Sequence, residues 1–172
     1  PRCAVLGYGS WATAIVKTLT VNHHHVDWLV LNDEILQSLH DRSRNSKYLP
    51  WCYIDKEFMT PSNDINAVVR DADMVFLAMP SAFLEKFLKP LTESLENKIV
   101  VSAVKGIIPG DYLTIIEHMN RFYDVPMQNL AVVTGPSHAE EVGQCQLSYL
   151  TIASEDNNTA ELVRDVLSNE YF

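Results

Sequence analysis

The sequence predicts a doubly wound α/β fold, Rossmann-type, with a mainly parallel sheet and helices on both faces. Three observations predict it. Short runs rich in Val, Ile and Leu alternate with segments of helical periodicity. The runs are apolar on both faces, as strands of a helix-covered sheet must be. Nearly every glycine-containing or unusual polar cluster comes directly after one of these runs.

Taken in order, the apolar runs are Ala4 to Leu6, Val26 to Leu31, Met74 to Met79, Ile99 to Val104, Leu130 to Val133 and Tyr149 to Ala153. Helical patterns cover Trp11 to Val21, Glu34 to Arg42, Ile65 to Arg70, Ala82 to Leu95 and Tyr112 to Tyr123. A last helix begins near Thr159, capped by Asn158 or Thr159, and runs toward Asn169. Pro80 closes the Met74 to Met79 run, where it no longer obstructs a central strand. There is no internal repeat, low-complexity stretch or flexible linker, so residues 1–172 read as one domain able to bury a continuous core.

Composition narrows the function classes. Hydrophobic residues make up 47% and charged residues 20%, a globular balance. No apolar run reaches the roughly 18 residues needed to span a bilayer, and no signal-peptide pattern follows Pro1. Net charge is −9, from 22 acidic against 13 basic residues, which argues against a nucleic-acid backbone as partner. Cys3, Cys52 and Cys145 have no metal-ligand spacing and read as reduced, mostly buried thiols of a cytoplasmic protein. His23-His24-His25 reads as a solvated turn, since adjacent loop residues rarely converge on one ion; no metal site is expected.

The first strand runs into Gly7-Tyr8-Gly9-Ser10-Trp11-Ala12, a G-x-G-x-x-A pattern opening a helix. Gly7 allows the tight turn, Gly9 lets backbone approach a pyrophosphate, and Ala12 is small enough for close helix–strand packing. The helix N-terminus directs N–H groups and its positive end at phosphates. This is the fingerprint of a dinucleotide-binding βαβ unit. Asn32 and Asp33 lie at the end of the second strand, roughly 20 residues on, where an acidic side chain accepts from the adenosine ribose of NAD. A 2′-phosphate beside that carboxylate would be repelled, which favours NAD over NADP. Asn32-Asp33 can equally cap the next helix, and the two readings are compatible.

Further clusters fall on the same sheet edge, where open α/β sheets bind ligands. Ser81, after Pro80, offers a hydroxyl near the nicotinamide end or a plain N-cap. Lys105, followed by Gly106 at the end of an apolar strand, is expected to face a cleft and stabilise negative charge on a reacting oxygen, its alternative being a snorkelling surface lysine. In Gly135-Pro136-Ser137-His138-Ala139-Glu140-Glu141, Ser137 and Glu140 form a capping box, and His138 reads as structural. No nucleophile constellation appears.

With these clusters assembled, the chain resembles the N-terminal domain of NAD(P)-dependent glycerol-3-phosphate dehydrogenases. The resemblance rests on Gly7 to Ala14, Asn45-Ser46-Lys47-Tyr48-Leu49-Pro50, Pro80-Ser81, Lys105-Gly106-Ile107 and Gly135 to Glu141, and covers nearly the whole chain. It implies that Ser10 and Trp11 contact the cofactor, Lys105 both cofactor and substrate, Gly135 and Ser137 the substrate, and Ala139 the cofactor. The implied reaction is reversible hydride transfer between NAD(P)H and dihydroxyacetone phosphate, giving glycerol 3-phosphate for phospholipid synthesis. Many bacterial members carry an arginine at the end of the second strand; Leu31-Asn32-Asp33 stands here instead. Family members continue into a helical domain carrying the proton-accepting lysine, which is expected to lie outside this chain. The chain alone is thus expected to bind dinucleotide and be nearly inactive, with a homodimer allowed in the complete protein. Two rivals remain: a ketopantoate or β-hydroxyacid reductase of the same fold, and an NAD-sensing module without chemistry.

Overall fold

The computed structural model describes residues 1–104, 114–134 and 151–168. Strands β1 (Cys3–Leu6), β2 (Val26–Leu29), β3 (Met59–Ser62), β4 (Met74–Leu77), β5 (Ile99–Ser102), β6 (Leu130–Thr134) and β7 (Thr151–Ser154) form one sheet. Their spatial order is β3-β2-β1-β4-β5-β6-β7. Neighbours are parallel throughout, except that β7 runs antiparallel to β6. Helices are α1 (Ser10–Val21), α2 (Asp33–Arg42), α3 (Ile65–Arg70), α4 (Leu84–Leu88), α5 (Ile115–Tyr123) and α6 (Asn157–Leu167). The doubly wound α/β architecture is as the sequence predicts.

Alternation along the strands divides the interior in two. Val5, Trp28 and Phe76 enter one core with Ile15, Val16 and Leu19 of α1, Ile35 and Leu39 of α2, and Val163 and Val166 of α6. Leu6, Leu29 and Leu77 enter the other, with Val68 of α3, Leu84 of α4 and Met119 of α5. The central strand β1 is fully buried, so it shows no polar alternation in sequence.

Several elements differ from expectation for identifiable reasons. Strand β3 went unpredicted because only Met59 of Met59-Thr60-Pro61-Ser62 is buried; Pro61 is tolerated because β3 is an edge strand. Instead of one helix over 82–95 there is a 3-10 turn, Ser81–Phe83, and then five residues of α4. Pro90 lacks the N–H that a further turn would use. Helix α6 is capped by Asp156, which accepts from the backbone N–H groups of Asn158 and Thr159, and not by either of those residues. Helix α5 begins at Ile115, with Thr114 as its cap.

The three histidines do form the turn after α1, at the edge where the strands begin. His23 takes a left-handed backbone (φ 63), and its ring stacks on Phe58 at 5.0 Å. His25 Nε2 lies 3.0 Å from Thr60 Oγ1. Burial holds the His24 imidazole below its usual pKa. At the same edge the Asn22 amide donates to the carbonyls of Val166 and Ser168, at 2.8 and 3.0 Å. Among the described residues no helix is long and apolar enough to cross a membrane, and no three metal-ligating side chains cluster.

Where β1 ends, Gly7 sits at φ +125, and a Cβ there would lie 2.3 Å from the carbonyl oxygen of Ala78, just beyond β4. Gly7→Ala should therefore destabilise by about 3 kcal/mol or more, from strain and overpacking together, as read by urea unfolding. Cys3 is fully buried, and burial pushes its thiol from 9.0 up to about 12. Between those values the unfolded chain loses the thiol proton first, so stability falls as pH rises through that window. Cys3→Ala should flatten that alkaline decline in urea titrations, and the wild-type Cys3 thiol should resist Ellman's reagent at neutral pH until the protein unfolds.

Candidate functional site

The loop from β1 to α1 has each of its carbonyls fastened from the protein side. Trp28 Nε1 donates to the Gly7 carbonyl at 2.6 Å, and Asn45 Nδ2 to the Tyr8 carbonyl at 2.9 Å. The Gly9 carbonyl accepts from Thr13 Oγ1 at 2.8 Å and from the Thr13 N–H at 3.0 Å. This satisfies the acceptors internally and leaves the helix N-terminus to the solvent side.

That N-terminus is also uncapped. Gly9 supplies no side-chain bond, and α1 has no acidic residue in its first turn. By contrast α2, α3, α5 and α6 are each capped by a side chain: Asn32, Asp64, Thr114 and Asp156. Gly9 has φ −82, open to any residue, and a Cβ there would meet nothing within 4 Å among the described residues. Packing among the described residues does not itself require glycine at this position. Ala12, completely buried, packs into the core as the small residue of the pattern.

Above the loop lies a cleft of about 760 Å³, lined from the ends of β1, β2, β4 and β5. It opens between β1 and β4, where the strand order reverses. Gly9, Ser10 and Trp11 form one side, and Ala78, Met79 and Pro80 another. Leu31, Tyr48, Phe83 and Phe87 add apolar and aromatic walls, with Ala103 and Val104 at the end of β5. Tyr8 packs against Phe87 with ring centroids 6.0 Å apart. Lys86 is the one charged side chain among the described lining residues, and it also borders a smaller cavity beside Leu31 and Asn63. Flat apolar walls, one cation and a helix N-terminus suit an anion joined to planar rings.

Tyr48 reaches the cleft from a turn organised by Asn45. Asn45 is completely buried, and its Oδ1 accepts from the N–H groups of Lys47 and Tyr48, both at 3.0 Å. Leu49 then adopts φ 49, left-handed for a non-glycine residue. Such a conformation costs about 1–2 kcal/mol. The turn sends the Leu49 side chain into the core and leaves Tyr48 40% exposed at the cleft.

The structure brings together Gly9, Ser10, Trp11 and Pro80 on the cleft wall, with Gly7 beneath. Asn32 acts as the cap of α2, its Oδ1 accepting from the Ile35 N–H at 3.0 Å. Asp33 is exposed in the first turn of α2, and neither of the two lines the cleft; Leu31 does. Ser81 is the first residue of the 3-10 turn, whose N-terminal position belongs to Pro80, so it is not the cap expected of it. Lys105, Gly135, Ser137, His138 and Ala139 lie outside the described residues. The walls Tyr8, Phe83, Lys86 and Phe87 were missed. For the last three the signal is the spacing 83, 86, 87 just after Pro80, which places them on neighbouring positions of one helical surface.

Comparison with known proteins bears on the family and the fold. Residues 2–160 match the family described as NAD-dependent glycerol-3-phosphate dehydrogenase N-terminus. The chain is 33% identical to a glycerol-3-phosphate dehydrogenase [NAD(P)+] of Leuconostoc citreum, over 99% of this chain and 52% of that protein. For the Halalkalibacterium halodurans protein of the same name the values are 30%, 98% and 49%. Solved glycerol-3-phosphate dehydrogenases share the fold: TM-score 0.86 for Coxiella burnetii, covering 99% of this chain and 52% of that one, and 0.90 for Plasmodium falciparum, covering 99% and 50%, each at 22% identity. The chain spans about half the length of the curated relatives it matches. With the glycine loop, the cleft at the strand reversal and this family match over 2–160 in agreement, the chain belongs to the NAD-dependent glycerol-3-phosphate dehydrogenase N-terminal family.

Proposed function

We propose that residues 1–172 are the dinucleotide-binding domain of a glycerol-3-phosphate dehydrogenase, interconverting dihydroxyacetone phosphate and glycerol 3-phosphate for phospholipid synthesis. The observation that carries this reading is the open space at Gly9, on the uncapped N-terminus of α1. A pyrophosphate suits that space: an anion gains from the helix end and meets no described side chain there. Gly9, Ser10 and Trp11 would hold it, while Pro80 and Ala139 flank the cofactor further along. When bound, the nicotinamide supplies or accepts the hydride.

The chain's own residues bind and orient. Lys105 would hold the substrate oxygen and offset charge developing on it, and Gly135 and Ser137 would place the triose phosphate. On this reading proton transfer would fall to a lysine outside residues 1–172. Asn32 and Asp33, the cap and first residue of α2, would lie toward the adenosine ribose, and NAD is the favoured cofactor. Asp33 and Glu34 are both acidic in that first turn. The nearby cation Lys47 pairs with Glu34 at 3.3 Å, and Arg44 donates to the Trp51 carbonyl at 2.9 Å. A 2′-phosphate would meet two carboxylates there.

The test is nicotinamide absorbance with the complete protein, offering dihydroxyacetone phosphate or ketopantoate with NADH or NADPH in parallel. We expect turnover of dihydroxyacetone phosphate only, and faster with NADH. Turnover of ketopantoate alone would reassign the substrate, and faster NADPH oxidation would reverse the cofactor preference. Lys105→Ala should lower turnover roughly 10²–10³-fold and leave NADH affinity roughly intact. Gly9→Ala should keep the melting temperature within a few degrees and weaken NADH binding at least about tenfold, or 1.4 kcal/mol; unchanged calorimetric affinity would remove the pyrophosphate from that position.

A further inference from the structure

Asn45 sits 32 residues beyond Thr13 in sequence, yet it is fully buried against the glycine loop. Its amide is saturated. Both N–H bonds are donated, to the Tyr8 carbonyl at 2.9 Å and to Thr13 Oγ1 at 3.1 Å. Both lone-pair positions of Oδ1 are filled by the N–H groups of Lys47 and Tyr48. Thr13 Oγ1 passes the chain on, donating to the Gly9 carbonyl at 2.8 Å. One side chain thus spans the two walls of the cleft: the loop beneath the proposed pyrophosphate, and the turn that presents Tyr48.

We propose that Asn45 is a positioning residue for dinucleotide binding, holding the glycine loop and the Tyr48 wall as one rigid frame. The inference rests on the dinucleotide reading given above. Two features separate this role from plain core filling. A buried amide is a costly way to fill space unless each of its bonds is needed. Its bonds also end on the two elements that a ligand must touch together, and the left-handed Leu49 next to it shows that the turn is held against its local preference. Preorganisation of this kind lowers the ordering cost of binding and leaves the chemistry alone.

The test compares KM for NADH and kcat in the complete protein for Asn45→Asp, Thr13→Val and Val163→Ala. Asn45→Asp keeps acceptors for Lys47 and Tyr48 but has no donor, and it sets a carboxylate against the Tyr8 carbonyl. Thr13→Val is nearly isosteric and cuts the relay at its other end, carrying the test where Asn45→Asp does not fold. Val163→Ala is a core change in α6 that lowers the melting temperature without touching the cleft. We expect KM for NADH to rise at least about tenfold in Asn45→Asp and less in Thr13→Val, with kcat within about twofold of wild type. The double variant should lose little beyond Asn45→Asp, because the two residues act through one relay. Val163→Ala should keep wild-type KM despite its lower melting temperature. Folded Asn45→Asp or Thr13→Val protein with wild-type KM overturns the positioning role alone, as does a Val163→Ala variant that loses KM as much as they do. Wild-type protein that binds neither NADH nor NADPH overturns the dinucleotide reading, and this inference with it.

Discussion

The molecule is organised around a backbone contact. Gly7, at the end of the central strand, lies so close to the Ala78 carbonyl that no other residue fits. Contact at that point holds the ends of β1 and β4 together while their chains depart to opposite faces. From β1 the polypeptide crosses to α1 and one core; from β4 it turns into α4 and the other. Adjacent parallel strands whose connections leave in opposite directions open a crevice between them. The cleft is thus a consequence of topology, and Gly7 makes that topology sterically possible. Moving β4 outward to admit a side chain would unseat two cores at once.

Within the cleft, polar groups are divided by function. Loop carbonyls, which would repel an anion, are turned inward and bonded to Trp28, Asn45 and Thr13. The helix end that attracts an anion is left without a cap. Both arrangements are settled before any ligand arrives, so binding need not reorganise them. Surrounding rings then supply apolar area with little rotamer entropy to lose.

Legibility in the sequence followed burial. Strands β1, β2, β4 and β5 were readable because they are short, branched and covered on both sides. Edge strand β3 was not, since Thr60, Pro61 and Ser62 bury little and follow no alternation. The reversed direction of β7 could not be read either: hydrophobic pattern reports which faces are covered and is silent on strand polarity. For the site, the glycine spacing located the loop, because backbone conformation restricts residue type there. The aromatic walls escaped because an exposed Phe83 or Tyr48 looks like any surface aromatic until the fold sets it beside the loop. Asn45 was visible only within the stretch Asn45 to Pro50 that carries the resemblance, since its meaning lies in partners far away in sequence.

The amide of Asn22, which closes the first helix, reaches a carbonyl 144 residues downstream. Val163, Val166 and Leu167 shelter the same core as Val16 and Leu19 of that helix. During synthesis the opening βαβ unit leaves the ribosome long before this cover exists. Contacts so distant along the polymer form slowly, and apolar surface awaiting them is what chaperones bind. The first helix can therefore complete this packing only after α6 has been synthesised.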